Sequence, residues 1–172
     1  FYIVVIGIPL STGSSVLLIP NYLMMMKLHL TNHWYTLPLL YTAYNLPLVI
    51  WMLISGVRGL PYEIEEAARI DGCSQFYIIT RIIPPVIRPS FAAAALFAFI
   101  GAWNEFITAT VMVNGYALKN IQMAIYDYIG FFGQEWGPLC GAATLAIIPI
   151  LLVFTFLGKQ LVSGLTAGAV KG

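Results

Sequence analysis

The sequence has little charge for its length. Charged residues make up 9% of the 172 residues and hydrophobic residues 60%, and the mean hydropathy is +0.86. Soluble domains carry about 25% charged residues. The formal net charge of +1 leaves no concentrated basic surface, which excludes the nucleic-acid-binding proteins. The composition predicts an integral membrane protein in contact with membrane lipid.

Cysteine and histidine are scarce, and cofactor motifs are missing from the sequence. Cys73 and Cys140 lie on opposite sides of the membrane in the topology below, which excludes a disulfide between them. His29 and His33 are four residues apart without an acid or cysteine near them, so we expect interface histidines and no metal site. A glycine-rich loop that ends in Lys-Ser or Lys-Thr is also missing, so we expect no cofactor in this chain.

Four apolar stretches are long enough to cross about 30 Å of hydrocarbon. They are residues 1–26, 36–57, 90–113 and 139–157. Pro9 and the polar cluster at 11–15 can break the first stretch, and Pro149 predicts a kink in the last. The chain begins at Phe1 without a Met or a basic leader, so we expect further spans before it. The expected fold class is an all-α polytopic membrane protein with about four spans in this fragment.

Basic residues are distributed unequally between the two sides of these spans. One side holds the loop at 58–88 and the C-terminus, which carry Arg58, Arg69, Arg81, Arg88, Lys159 and Lys171. The other side holds Lys27 and Lys119. Because short cytoplasmic loops are enriched in Lys and Arg, we expect the loop and the C-terminus to lie in the cytoplasm.

The charged loop opens with signals for a helix. Pro61 fits the first helical position, where its missing N–H costs nothing. The helix dipole favours the acids that follow, which are Glu63, Glu65 and Glu66. Glu65 and Arg69 are spaced for an ion pair, and Gly72 can adopt the left-handed conformation that ends a helix. We expect a short helix that ends near Ile70.

A second short helix is expected after the glycine. Ser74 fits its N-cap, the helix spans about 77–83, and Pro84-Pro85 is expected to end it. The loop therefore predicts two short helices joined by a tight turn, outside the hydrocarbon.

The first helix carries a face suited to docking on a soluble partner. Ile64, Ala67 and Ala68 share this face, and the small alanines let another backbone approach closely. The alternative is an amphipathic helix that lies on lipid headgroups. The acids of the helix oppose that alternative, because an anionic leaflet repels them.

The spacing in this loop resembles the cytoplasmic signature of permease subunits in binding-protein-dependent ABC importers. That signature is Glu-Ala-Ala, three residues, Gly, nine residues, Ile, one residue and a Leu-Pro pair. The chain supplies Glu66, Ala67, Ala68, Gly72, Ile82 and Pro85. It departs from the signature with Pro84 in place of Leu, which concerns the end of the second short helix and not the docking helix.

Further segments are similar to the carbohydrate branch of this family, and within it to the G subunits of maltose-type permeases. They are residues 65–72, 103–106 and 164–172. The likeness extends from about Pro9 to the end of the chain. It implies a MetI-like helical bundle of six spans. Residues 1–172 would then be the last four spans of an ABC transporter transmembrane domain, with 59–88 as its coupling loop.

The resemblance also implies a function. The chain would be a permease subunit that moves a sugar across the cytoplasmic membrane of a bacterium or archaeon by alternating access. Its implied partners are a second permease subunit, an extracytoplasmic binding protein and two copies of a cytoplasmic ATPase. ATP would be hydrolysed on those ATPases, so this chain would not be an enzyme.

The resemblance assigns contacts with the ATPases to two segments. The implied coupling contacts are Glu65, Glu66, Ala67, Ala68, Asp71, Gly72, Ile82 and Pro85. In the C-terminal tail, the implied contacts are Gly164, Leu165, Thr166 and Gly168. On composition alone, we expect the tail at 163–172 to be disordered.

Polar and aromatic residues within the spans are candidates for the solute pathway. Trp103, Asn104 and Glu105 form a polar cluster in the third predicted span, and Tyr44 and Asn45 offer an aromatic face and an amide to a sugar. Glu105 would lie about 25 Å along a helix from the inner interface, so a structural charge at the outer surface is an equal alternative. Aromatic residues at helical spacing more often serve packing.

Other classes of function stay open at this point. The same fold can carry an amino acid, a phosphate or a peptide. A secondary transporter would need carboxylates near the bilayer midplane, and none is visible in the sequence. A membrane-embedded enzyme would use Glu105, Asp127 and Glu135, which lack a paired spacing and a nucleophile motif.

Overall fold

The structure, a computed structural model, describes residues 17–130, 133–134 and 136–169 and is mostly helical. The α-helices are α1 (Leu18–Lys27), α2 (Thr36–Arg58), α3 (Tyr62–Ile70), α4 (Gln75–Tyr77), α5 (Ile83–Val86), α6 (Arg88–Trp103), α7 (Ile107–Met112), α8 (Ile121–Tyr126) and α9 (Trp136–Ala169). A π-helical segment, Ile78–Ile82, joins α4 to α5, and a 3₁₀ turn lies at Tyr116–Leu118. Two antiparallel strands, β1 (Ile129–Gly130) and β2 (Gly133–Gln134), pair Ile129 with Gln134.

Two described helices are long and apolar enough to cross a membrane. They are α2, with a mean hydropathy of 1.6, and the Trp136–Gly158 part of α9, with 2.4. The helices from Gln75 to Trp103 make a third candidate if they form one span bent by 76°. The second and fourth predicted spans are therefore confirmed. Most of the first one, residues 1–16, lies outside the described residues.

The third predicted span, 90–113, is wrong as a continuous helix. A break of three residues separates α6 from α7. In this break, the Glu105 carboxylate accepts hydrogen bonds from the backbone N–H groups of Thr108 and Ala109. These belong to the N–H groups that the start of a helix leaves without backbone partners. The carboxylate therefore stabilises a new helix start inside an apolar stretch.

The second short helix of the charged loop does not end at its prolines, contrary to the prediction. Pro84 and Pro85 lie in the first turn of α5, where a missing N–H is tolerated. The π segment makes this possible, because the Ile83 N–H bonds to the Ile78 carbonyl, five residues back. Pro61 also differs from the prediction, since it lies at the N-cap position, one residue before α3, and makes no side-chain capping hydrogen bond.

The prediction for the C-terminal tail is wrong where the structure describes it. The backbone is helical through Ala169, so Gly164, Leu165, Thr166 and Gly168 lie on a continuation of α9. The tail extends an existing helix, and each added residue gains a backbone hydrogen bond without the cost of nucleation. Residues 170–172 lie outside the described part.

Backbone contacts divide the chain into two compact units, residues 1–48 with 98–152 and residues 49–97 with 153–172. Within the first unit, a hydrophobic core contains Met25, Leu37, Leu40, Ala109, Met112, Val113 and Met123. Asn32, at a φ of +58°, ties the loop after α1 to this core. Its N–H donates to the Met112 carbonyl, and its side-chain oxygen accepts from the Asn114 N–H.

Within the second unit, α2 and α6 approach closely at Gly56. A Cβ atom on Gly56 would lie 2.7 Å from the Cβ of Ser90, which is far inside van der Waals contact. Small residues at such positions let membrane helices pack backbone to backbone. The glycine therefore sets the distance between these two helices.

We expect Gly56→Ala to destabilise the protein by about 1–3 kcal/mol through overpacking. The measurement is thermal unfolding of the purified protein in detergent. Gly141→Ala is the matched control, because a Cβ there meets nothing within 4 Å and the Gly-to-Ala change by itself favours a helix. Ser90→Gly should restore the stability of Gly56→Ala. Equal stability of the two alanine variants would contradict the close approach.

Candidate functional site

The charged loop folds into a helical hairpin, residues 62–77, with its turn at Gly72. This glycine has a φ of +78°. The Gly72 N–H donates to the Arg69 carbonyl and the Cys73 N–H to the Ala68 carbonyl, both at 3.0 Å. These two bonds form the Schellman helix end, which places its glycine in the left-handed region. The predicted helix end at Gly72 is confirmed.

Side chains hold the two arms of the hairpin together. Arg69 Nη2 lies 2.6 Å from Glu65 Oε1, as the spacing predicted, and 3.2 Å from Gln75 Oε1. Ser74 caps α4, because its hydroxyl accepts the Tyr77 N–H at 3.2 Å. The ion pair is solvent-exposed and contributes at most about 1 kcal/mol. Its effect is mainly to fix the direction of α4 relative to α3.

The hairpin presents large apolar side chains to solvent on both sides of its turn. Ile70 is 80% exposed and Phe76 is 77% exposed. Apolar side chains beside charged ones, outside the hydrocarbon, are typical of a surface that contacts another protein. Sequence reasoning missed both residues. The available signal was that Ile70 is apolar but lies off the face that carries Ile64 and Ala68.

The residues predicted to contact the ATPase differ in exposure. Glu66, Ala67, Asp71, Gly72 and Pro85 are exposed, Glu65 and Ile82 are half-buried, and Ala68 is buried. Ala68 is buried by this chain alone. The close approach that its small side chain permits is therefore internal, while Ala67 faces solvent.

A second polar cluster surrounds the break between α6 and α7. The Glu105 carboxylate accepts the Thr108 N–H at 2.8 Å, the Ala109 N–H at 3.1 Å and the Tyr41 hydroxyl at 3.2 Å. Asn120 Nδ2 donates to the backbone carbonyl of Glu105 at 2.6 Å and lies 3.3 Å from the Tyr41 oxygen. Glu105 thus joins α2 to the break and to the segment before α8.

Asn120 was missed by sequence reasoning. Its side-chain oxygen accepts the Met123 N–H at 2.9 Å and so caps α8. An asparagine directly before the apolar run at 121–125 is a signal for an N-cap. The same side chain therefore starts one helix and supports the break near another.

Trp103 precedes this break and Asn104 is its first residue, and both bond mainly to backbone. Trp103 Nε1 donates to the Ala146 carbonyl of α9 at 3.1 Å, and its own carbonyl accepts from Gln122 Nε2 at 3.2 Å. Asn104 is exposed, and its Nδ2 donates to the Ile100 carbonyl at 3.1 Å. Trp103 therefore ties helices together, whereas Asn104 presents an amide at the surface.

Tyr44 and Asn45 are brought to the same region of α2. The Tyr44 hydroxyl accepts a hydrogen bond from Asn21 Nδ2 at 2.9 Å. Asn45 Nδ2 donates to the Tyr41 carbonyl at 2.8 Å, and its Oδ1 would lie 2.9 Å from a Cβ on Gly101. The amide of Asn45 therefore packs against a neighbouring helix backbone.

Acids, histidines and cysteines do not form a metal-type cluster in the part of the chain that the structure describes, and Glu135 lies outside that part. No group of three His, Cys, Asp or Glu side chains there is placed to hold a metal ion, and both cysteines are free thiols. Asp127 forms an ion pair with Lys119 at 2.5 Å, and Lys119 lies 4.5 Å from the centre of the Tyr116 ring.

The structure combines apolar helices of membrane length with a charged helical hairpin, as expected for an integral membrane protein. The chain belongs to the family described as binding-protein-dependent transport system inner membrane component, whose model matches residues 1–166. This confirms the family that the charged-loop signature predicted.

The similar curated proteins include three whose names specify a sugar compound. The sulfoquinovosyl glycerol transport system permease protein SmoH of Agrobacterium fabrum is 35% identical over 91% of this chain and 55% of its own length. The diacetylchitobiose uptake system permease protein DasC of Streptomyces coelicolor is 35% identical over 91% and 57%. The trehalose/maltose transport system permease protein MalG of Thermococcus litoralis is 37% identical over 85% and 53%. The chain spans little more than half the length of these relatives.

We expect Glu105→Ala to destabilise the protein by about 1–3 kcal/mol, because the Thr108 and Ala109 N–H groups and the Tyr41 hydroxyl lose a buried acceptor. Glu105→Gln keeps one acceptor oxygen and should lose less. Asn104→Ala is the control at the exposed neighbouring position, with a change within about 0.5 kcal/mol. Thermal unfolding in detergent measures all three. An unchanged unfolding temperature in Glu105→Ala, together with reduced transport, would assign the residue to the solute pathway instead.

Proposed function

We propose that this chain is the membrane-spanning permease subunit of an ATP-driven importer that carries a sugar into the cell by alternating access. Membership in the transport-system family and the sugar compounds in the names of its relatives support the proposal. The observation that carries it is the hairpin at 62–77. A rigid, glycine-terminated turn with Ile70 and Phe76 exposed beside Glu66 and Asp71 suits insertion into a cleft of a soluble protein.

The proposed partner at the hairpin is a cytoplasmic ATPase, present in two copies in the whole importer. This chain is not an enzyme in the proposal, and the ATP is hydrolysed on those partners. A second permease subunit completes the pathway, and an extracytoplasmic binding protein delivers the sugar. The location is the cytoplasmic membrane of a bacterium or archaeon, with the hairpin inside the cell.

Coupling to the ATPase is assigned to two sets of residues in the hairpin and in the segment that follows it. Glu66, Ala67 and Asp71 are exposed for direct contact, together with Ile70 and Phe76. Glu65, Ala68, Gly72, Ile82 and Pro85 set the shape of the hairpin and of its connection to α6. The tail residues Gly164, Leu165, Thr166 and Gly168 are proposed as a second contact, presented on the end of α9.

The solute pathway is proposed to involve Tyr44 and Asn104 more directly than their neighbours. Asn104 is exposed, and the Tyr44 hydroxyl keeps its proton available for donation while it accepts from Asn21. Asn45, Trp103 and Glu105 serve mainly to position the helices around them. The alternative solutes on the same fold are an amino acid, a phosphate or a peptide.

We expect Gly72→Val to release the ATPase, because a β-branched side chain disfavours the left-handed conformation by about 1–2 kcal/mol. This corresponds to roughly tenfold weaker docking. The measurement is recovery of the ATPase with the tagged, full-length permease, and ATP hydrolysis by the reconstituted complex.

Gly115→Val is the matched control for this variant. Gly115 has a φ of +90°, and a Cβ there meets nothing within 4 Å, as at Gly72. With a ψ of 155°, Gly115 lies in a region that is essentially restricted to glycine, so the control carries at least comparable backbone strain. Only Gly72 lies in the hairpin. Equal recovery of the ATPase with both variants would contradict the docking proposal.

We expect Cys73 to react with a membrane-impermeant maleimide only after the cells are opened, because the basic residues around the hairpin place it in the cytoplasm. The thiol is half-buried in the turn and not in a disulfide. A full-length variant with its other cysteines replaced by serine isolates the signal. Labelling of Cys73 in intact cells would reverse the proposed orientation.

A further inference from the structure

The C-terminal turns of α2 carry an open apolar groove that ends in a positive charge. Ile50, Leu53, Ile54, Val57 and Arg58 line the groove, which has a volume of about 470 Å³. Because α2 is a candidate membrane span, the apolar part of this groove lies at hydrocarbon depth. Arg58 is the last residue of this candidate span, where we expect the helix to leave the hydrocarbon and meet the headgroups.

Arg58 also lines a second cavity, of about 180 Å³, under the charged hairpin. The acid in the lining of this cavity is Glu65, whose carboxylate is already paired with Arg69 at 2.6 Å. Within the described ranges, the ion pairs are this one and Lys119–Asp127, and Arg58 takes part in neither. Its charge is therefore available to an anion from outside the chain.

A second arginine lies at the same membrane level. Arg88 begins α6, two residues before Ser90, and Arg58 follows Gly56 by two residues. Gly56 and Ser90 mark the close approach of α2 and α6, so both arginines flank one helix crossing. The first turn of α6 carries no acid that would offset the charge of Arg88.

We propose that the groove binds one anionic phospholipid from the leaflet on the hairpin side of the membrane. An acyl chain lies along Ile50, Leu53 and Ile54, and the phosphate accepts hydrogen bonds from the Arg58 guanidinium. A guanidinium matches phosphate geometry with two parallel hydrogen bonds. Basic pockets between spans on the cytoplasmic side are known to hold such headgroups. Arg88 adds to the local positive potential.

The combination of walls and charge favours a lipid over other occupants. A free phosphate ion would use the arginine but leave the apolar walls unfilled. A second protein subunit would fill the walls, but it would use the charge of Arg58 only if it also supplied an acceptor there. A phospholipid supplies both an acyl chain for the apolar walls and a phosphate for Arg58. Because Arg58 lines the cavity under α3 as well, occupancy of the groove would link lipid composition to the position of the hairpin.

The test is native mass spectrometry of the assembled full-length importer, extracted from an equal mixture of phosphatidylcholine and phosphatidylglycerol. We expect phosphatidylglycerol to be retained in preference. Arg58→Gln should lower this preference about fivefold, which follows from about 1 kcal/mol per basic residue near the surface. Arg58→Lys should keep most of the preference. Arg81→Gln, at an exposed basic residue on the hairpin side that lines neither the groove nor the cavity, is the matched control and should lower the preference less than Arg58→Gln does.

Several outcomes would overturn the proposal. They are equal retention of the two lipids by the parent, an unchanged preference in Arg58→Gln, or displacement of the lipid by inorganic phosphate alone. Lipid bound to the free subunit but not to the assembled importer would assign the groove to a second permease subunit. The proposal rests on the orientation given above but not on ATPase docking. Recovery of the ATPase, measured in the same samples, separates failure of the lipid site from failure of the proposed function.

Discussion

The fold depends on one constraint, which is that backbone N–H and C=O groups in hydrocarbon must find partners within the protein. A continuous helix such as α2 meets most of it with its own hydrogen bonds, apart from the one that Pro47 cannot donate. The break between α6 and α7 cannot, and there the chain uses Glu105 as a substitute for backbone acceptors. The carboxylate is in turn held by Tyr41, and its own carbonyl by Asn120. An acidic residue inside an apolar stretch thus supports the helix architecture and need not mark a reaction or a solute.

The hairpin is under a different constraint. It lies outside the hydrocarbon and must keep its shape with few buried side chains. Its turn is determined by backbone geometry at Gly72 and by two backbone hydrogen bonds, with a modest contribution from Glu65 and Arg69. A rigid turn costs little entropy when it binds, which favours docking. The exposed Ile70 and Phe76 would be a liability in a segment with no partner. The defined turn of the hairpin and its exposed apolar side chains therefore both favour a contact with another protein.

The sequence predicted local features well and non-local ones poorly. The ion pair of Glu65 and Arg69, the turn at Gly72 and the cap at Ser74 each depend on residues within five positions of one another. The spans α2 and α9 follow from composition alone. By contrast, the break at Glu105 depends on Tyr41, which is 64 residues away. The burial of Ala68 beside an exposed Ala67 depends on packing that periodicity does not resolve. The helix end predicted at Pro84 and Pro85 is wrong because a π turn precedes these prolines.

The π segment at Ile78–Ile82 changes which side chains share a helix face in the residues that follow it. A π turn inserts one residue into the helical repeat, which turns every later side chain by about 100° relative to an unbroken α-helix. Helix faces counted from the hairpin therefore lose register before α6 begins. A hydrophobic stripe traced across the segment would place lipid-facing residues on the wrong side. Related chains that lack this extra residue would align here only with a one-residue gap inside a helix.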